Sequence, residues 1–328
     1  MIVAIRWCWV YQPLTPNVSG ENPKKLKTRK QPDGVADVLR EIQVGLRPGK
    51  TTLRQAAEMS QVNLRSRQRS RRSGIPMLRD WLVSRPKAPP EEAPPASVPH
   101  GVRIYAVGDL HGRPDLLDQV LARIDADVAA NPVPQPIEVF IGDYVDRGPG
   151  SREVVDRLLT RVRTHGSICL KGNHEAYLMD FLTNPVILHD WRSCGGLETL
   201  VSYGLTPSLS AQPDEYKKLS QAFDRALPLN HRLFFNGLRH CYVCGDFFFV
   251  HAGVRPGVPL EEQSEHDLLW IRDDFLNYNG DFGKIIIHGH TPVLKPDVHP
   301  NRINIDTGGY ATGQLSCLVI ERDALSLI

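Results

Sequence analysis

The sequence predicts an α/β fold, a two-sheet sandwich of mixed strands flanked by helices. Three observations predict it. Short apolar runs recur along the chain, and five of them meet a Gly-containing motif that carries Asp, His or Asn. The first three motifs are spaced by 34 residues from Asp109 to Asp143 and by 30 from Asp143 to Asn173; successive strand–helix–strand units take about 30 residues each. Further strand-like runs then follow a long helical stretch. Right-handed crossovers place the ends of parallel strands side by side, so the functional residues are expected at their carboxyl ends.

Val102–Val107 is a β-rich run that ends in Gly108-Asp109. Leu116, Leu117, Val120, Leu121 and Ile124 then recur at helical spacing. Residues 137–141 form the second predicted strand, ending in Gly142-Asp143, and Val154, Val155, Leu158 and Leu159 mark the next helix. Residues 167–170 are the third strand, before Gly172-Asn173. Residues 176–235 read as helices and loops, with Gly195-Gly196 as a turn, and a helical cap inserted over the sheet ends is expected across 176–245. Strands resume at Phe247–Val250, 285–287, 303–305 and 315–320, with helical 268–275 among them.

The net charge of +2 hides two unlike segments. Residues 1–100 hold 18 Lys/Arg against 8 Asp/Glu, and residues 101–328 hold 21 against 29. The first segment reads as a disordered basic extension and linker, with Pro86, Pro89, Pro90, Pro94, Pro95 and Pro99 stiffening its end. It is the one part suited to nucleic acid or an anionic membrane. An alternative start at Met77 would remove residues 1–76. Gly49-Lys50-Thr51 is no P-loop, because Val44 stands where the first glycine is needed. The second segment, 101–328, reads as the catalytic domain. Its length removes the need for disulfide staples, and the lone Cys241-x-x-Cys244 reads as packing thiols. No apolar run approaches the roughly 20 residues that span a bilayer, and a cytoplasmic location is expected.

The five motifs are Gly-Asp-Leu-His-Gly at 108–112, Gly-Asp-Tyr-Val-Asp-Arg-Gly at 142–148, Gly-Asn-His-Glu at 172–175, His-Ala-Gly at 251–253 and His-Gly-His-Thr at 288–291. Any one alone is a turn or a structural histidine. Together they offer hard oxygen and imidazole ligands: Asp109, His111, Asp143, Asn173, His251 and His290. Asp143 has two oxygens and can bridge two cations. Such a set suits Mn, Fe, Zn or Co. Two cations roughly 3.5–4 Å apart can share a hydroxide and clamp a phosphoryl displacement, so no nucleophilic Ser or Cys is needed. Arg147 can grip phosphate oxygens. His174 adjoins Asn173 and can protonate a leaving oxygen, with Asp146 orienting its ring. His288 alternates with His290 and is expected to face the other way, as a structural residue.

These motifs resemble the PPP-type calcineurin-like metallophosphoesterases, the serine/threonine protein phosphatase family, over residues 102–320. The Gly-His-Thr-Pro form at 289–292 resembles the bacterial and phage branch. The resemblance implies two divalent cations, Mn with Fe or Zn as alternatives. It implies Asp109, His111 and Asp143 at one and Asp143, Asn173, His251 and His290 at the other. It also implies His174 as general acid with Asp146 behind it, and Arg147 and Arg272 as phosphate arginines. The expected reaction is hydrolysis of phosphomonoesters by a metal-bridging hydroxide, on phosphoserine or phosphothreonine of proteins or on small phosphoesters. The alternatives are diadenosine tetraphosphate hydrolysis and nucleic-acid binding through the basic tail. A nucleotide pocket would need stacking aromatics in the cap; Trp191 and Tyr203 are candidates and equally good core residues.

Overall fold

The computed structural model describes residues 95–208 and 212–328. The expectations for residues 1–94, including the basic tail and its nucleic-acid partner, fall outside the described residues. The last of the expected linker belongs to the fold. Val98 is buried, its amide donates to the Arg322 carbonyl, and the Ser97 amide donates to Asp246 Oδ2 at 2.9 Å.

The first half of the fold runs β1 (Val102–Val107), α1 (Pro114–Ala130), β2 (Gln135–Phe140), α2 (Ser151–His165) and β3 (Ile168–Cys169). Helices α3 (Asn173–Thr183), α4 (Leu188–Trp191), α5 (Gly196–Ser202), α6 (Pro213–Ala226) and α7 (Leu229–Asn236) follow. The second half runs β4 (Cys241–Cys244), β5 (Phe247–Val250), α8 (Glu265–Trp270), α9 (Asp273–Leu276), β6 (Ile285–His288), β7 (Asp297–Val298) and β8 (Arg302–Asn304). Helix α10 (Gly309–Thr312) and strands β9 (Cys317–Glu321) and β10 (Ala324–Leu327) return the chain to the first sheet.

Two five-stranded sheets result, in the orders β10-β9-β1-β2-β3 and β4-β5-β6-β8-β7. Strands β1, β2 and β3 are parallel, as are β5, β6 and β8; β9 and β4 join antiparallel. Side chains alternate across a strand, and that alternation builds the layers. Ile104 and Ala106 of β1 meet Phe247 and Phe249 of β5 and Ile287 of β6 between the sheets. Tyr105 and Val107 point the other way, onto Leu117 and Val120 of α1 and Val155 and Leu158 of α2. Phe248, Val250 and Ile286 cover the far face of the second sheet with Leu268 and Phe275. Helices therefore sandwich two sheets, as the sequence predicts. Burying each large apolar side chain contributes about 1.5–3 kcal/mol.

Two boundaries differ from expectation. The helical stretch covers α3 to α7 and closes at Asn236, so the last part of 176–245 is not cap. Residues Cys241–Cys244 are strand β4, turned onto β5 by Gly245-Asp246, a strong two-residue hairpin signal. The single helix expected at 268–275 is two. Ile271 takes extended backbone and buries its side chain beside Phe248 and Phe275, and the chain leaves α8 with Arg272 exposed. Cys241 and Cys244 sit half-buried on β4.

Candidate metal centre

Five strand ends converge on one rim. β1 runs into Asp109 and His111, β2 into Asp143, β3 into Asn173, β5 into His251 and β6 into His290. The loops are tied by their backbones. The Leu110 and His111 amides both donate to the Asp143 carbonyl, the Gly112 amide to that of Tyr144, and the Gly289 amide to that of His251. All six predicted ligands are buried.

Their donor atoms form two groups that share Asp143: His111, Asp143 and His174 in one, and Asp143, His251 and His290 in the other. His111 Nε2 lies 3.5 Å and His174 Nε2 3.7 Å from Asp143 Oδ2, and His251 Nε2 lies 3.3 Å from Asp143 Oδ1. His111 Nδ1 donates to the Val145 carbonyl at 3.0 Å, and His251 Nδ1 to the Ile141 carbonyl at 3.1 Å. Each ring is thereby held with a lone pair on Nε2, the usual arrangement of a histidine ligand. Asn173 Oδ1 completes the second group, 2.9 Å from His251 Nε2 and 2.9 Å from His290 Nδ1. An amide oxygen facing a ring-nitrogen lone pair at this distance is acceptor against acceptor, and a cation resolves it. Asp109 Oδ1, His288 Nε2 and His290 Nε2 are buried with no hydrogen-bond partner among the described residues, and a cation would satisfy the carboxylate oxygen.

Electrostatics agree with a cation site. Burial lowers the pKa of His111 to about 3 and also lowers those of His251 and His290, so the rings are neutral, as ligands must be. Burial pushes Asp143 up, but His251, His174, His111 and His290 more than offset it and hold the carboxyl below its ordinary range. Asp109 belongs to neither group. Its Oδ2 accepts from the His290 amide at 3.1 Å, and burial, with Asp306 and Asp143 close by, raises its pKa well above the ordinary value. Two cations would relieve this crowding of carboxylates.

His174 stands with the first group, and Asp146 is behind it. His174 Nδ1 donates to Asp146 Oδ2 at 2.6 Å, and burial, which lowers the His174 pKa, is outweighed by Asp143 and by this bond. Arg147 Nη2 donates to His174 Nε2 at 3.3 Å, and the guanidinium carbon lies 4.6 Å over the Tyr310 ring. Arg272 donates to Thr291 Oγ1 at 3.2 Å, beside His290, and its charge reaches His251 and His290. His288 faces away as expected, buried edge-on to Phe275 with ring centroids 4.9 Å apart.

Sequence reasoning did not find four supporting residues. Glu175 is fully buried and accepts from the amides of Asp143 (2.9 Å), Tyr144 (2.8 Å), Val145 (3.3 Å) and Gly172 (2.9 Å). Its signal was a Glu at the third helical position after a glycine N-cap. Asp306, just past β8, crowds Asp109. Trp191 Nε1 donates to Asp146 Oδ2 at 2.7 Å, and Thr199 Oγ1 to Asp146 Oδ1 at 2.6 Å. Trp191 and Tyr203 are buried core residues and line no nucleotide pocket.

Strain is concentrated here too. Among the described residues, six non-glycine residues have positive φ, and His111, Asp143, Asp146, Arg147 and His290 are five of them. Such backbone persists only where surroundings enforce it, which marks functional sites. Glycines make room for the carboxylates: a Cβ at Gly172 would strike Asp143 Oδ1, and one at Gly289 would strike Asp109 Oδ1.

The family model described as calcineurin-like phosphoesterase matches residues 102–317. A bis(5'-nucleosyl)-tetraphosphatase PrpE [asymmetrical] of Anoxybacillus flavithermus is 29% identical over 230 residues, covering 65% of this chain and 88% of that protein. Its namesake in Bacillus subtilis (strain 168) is 30% identical over 236 residues, covering 64% and 87%. A solved metallophosphoesterase from Sphaerobacter thermophilus aligns over 69% of this chain and 87% of its own at 19% identity, with a TM-score of 0.40.

Proposed function

The chain belongs to the calcineurin-like phosphoesterase family and is a phosphoric ester hydrolase; from that premise we propose that it cleaves a bis(5'-nucleosyl) polyphosphate at a two-cation centre. The observation that supports the centre is the pair of donor groups joined through Asp143 at the strand ends. The substrate follows the activity for which the PrpE relatives are named. Asp109, His111 and Asp143 would hold one cation, and Asp143, Asn173, His251 and His290 the other. Mn is proposed, with Fe or Zn compatible with the same ligands. When bound, the cations supply a water acidic enough to attack at neutral pH and neutralise phosphoryl charge.

The side chains do the rest. Arg147 and Arg272 flank the centre and grip non-bridging phosphate oxygens. At rest Arg147 donates to His174 Nε2. When the guanidinium turns to a phosphate, that nitrogen is free to take a proton from solvent water and pass it to the leaving oxygen. Asp146 fixes the ring through Nδ1 and favours its protonated form.

A second reading, hydrolysis of phosphomonoesters such as phosphoserine or phosphothreonine in proteins, is favoured by one observation. The cap aromatics that would read a base, Trp191 and Tyr203, are buried. A substrate panel on one metal-analysed preparation decides between them. The proposal expects bis(5'-adenosyl) tetraphosphate to exceed p-nitrophenyl phosphate and a phosphoserine peptide in kcat/KM by at least tenfold. The reverse order selects the phosphomonoesterase.

A further inference from the structure

We propose that Tyr177, Trp270 and His266 form an aromatic corner that holds a nucleobase of the substrate, an inference that rests on the nucleotide hydrolysis proposed above. Helix α3, which carries Asn173 and His174, and helix α8, which runs up to Arg272, build this corner. Tyr177 is four residues after Asn173 on α3, so it shares that face of the helix one turn further on. Trp270 closes α8 two residues before Arg272. The two aromatic rings therefore lie, along the chain, within four residues of Asn173 and two of Arg272.

The ring geometry supplies a floor and a wall. His266 and Trp270 are i and i+4 on α8, near-parallel rings with planes within 22° and centroids 6.5 Å apart. Tyr177 stands at 87° to the indole with centroids 5.1 Å apart. Tyr177 and Trp270 are half-buried and His266 is exposed, whereas Phe181, Trp191 and Phe223 are fully buried. These rings thus contact one another and stay partly open to solvent. A planar base can lie on the floor with its edge against the wall, while Arg272 meets the phosphate chain running back to the strand ends. Stacking tolerates any base, so the corner favours nucleotides over base-free phosphates without choosing among bases.

The test compares wild type, Tyr177→Ala and Trp270→Ala on bis(5'-adenosyl) tetraphosphate and on inorganic tripolyphosphate. The expected result is a KM for the dinucleotide that rises at least tenfold more than that for tripolyphosphate, equivalent to about 1.4 kcal/mol. Tyr177→Phe and Trp270→Phe keep a ring and should stay within about threefold of wild type on the dinucleotide, which separates lost stacking from lost folding. Equal rises for both substrates, or an unmoved KM in the alanine variants of an enzyme that cleaves the dinucleotide, overturn the corner alone. A matching rise for a phosphoserine peptide assigns it to a peptide side chain and also overturns it. A wild type that hydrolyses phosphomonoesters and leaves the dinucleotide intact overturns the nucleotide reading, and the corner with it.

Discussion

At the scale of single residues, His174 is the side chain whose role most needs separating from that of its neighbours. Its Nε2 lies with His111 and Asp143 in one donor group, yet its Nδ1 is committed to Asp146. His174→Asn should lower kcat by about 10²–10⁴, the usual contribution of a positioned acid, with cation content unchanged by elemental analysis. Loss of a cation in that variant would instead make His174 a ligand. Tyr310, 37% exposed, lies under the Arg147 guanidinium and edge-on to His111. Tyr310→Ala removes a cation–π contact of about 0.5–1 kcal/mol, and steady-state kinetics should show KM rising about two- to fivefold. The proposed ligands, His174 and Asp146 were legible because each lies inside a short motif. Trp191 and Thr199 were not, because their importance comes from meeting Asp146 across 45 and 53 positions of sequence.

At the scale of elements, one carboxylate joins two of them. Glu175 on α3 collects the amides of residues 143–145 after β2, and so aligns Asp143 with Asn173. Glu175→Ala leaves four buried amides without their acceptor, and each orphaned group costs about 1–3 kcal/mol. Urea denaturation should show a loss of about 3 kcal/mol or more, with weaker cation binding at temperatures where the variant is folded. A stability change below about 1 kcal/mol would mean that water or backbone replaces the carboxylate. Strands β5 and β6 were legible because their runs, Phe-Phe-Phe-Val and Ile-Ile-Ile, are apolar on both faces, as in buried strands. β10 is four residues, Ala-Leu-Ser-Leu, and β7 is two, Asp297-Val298, runs too short to stand out as strands in the sequence. β4 is half-buried at the edge of its sheet and was absorbed into the expected cap, although its Gly245-Asp246 turn was there to be read.

At the scale of the molecule, the site is a product of sheet packing. The first sheet supplies Asp109, His111, Asp143 and Asn173, and the second supplies His251 and His290. Among the described residues, the core between the sheets begins at Ala96. Removing residues 1–76 should therefore leave kcat on a small phosphoester within about twofold, because no core or site side chain described here is lost. A drop of tenfold or more in a stopped assay would make the leader part of the active enzyme. The family model spans 102–317, and no helix among the described residues is long and apolar enough to cross a membrane.

The central claim is that Asp143 joins two cation sites. The most direct measurement is equilibrium dialysis against Mn, followed by elemental analysis, on wild type and Asp143→Asn. The account predicts two Mn per wild-type chain and at most one, bound more weakly, in the variant, together with loss of turnover. Two tightly bound Mn in Asp143→Asn, or none in the wild type, would contradict it.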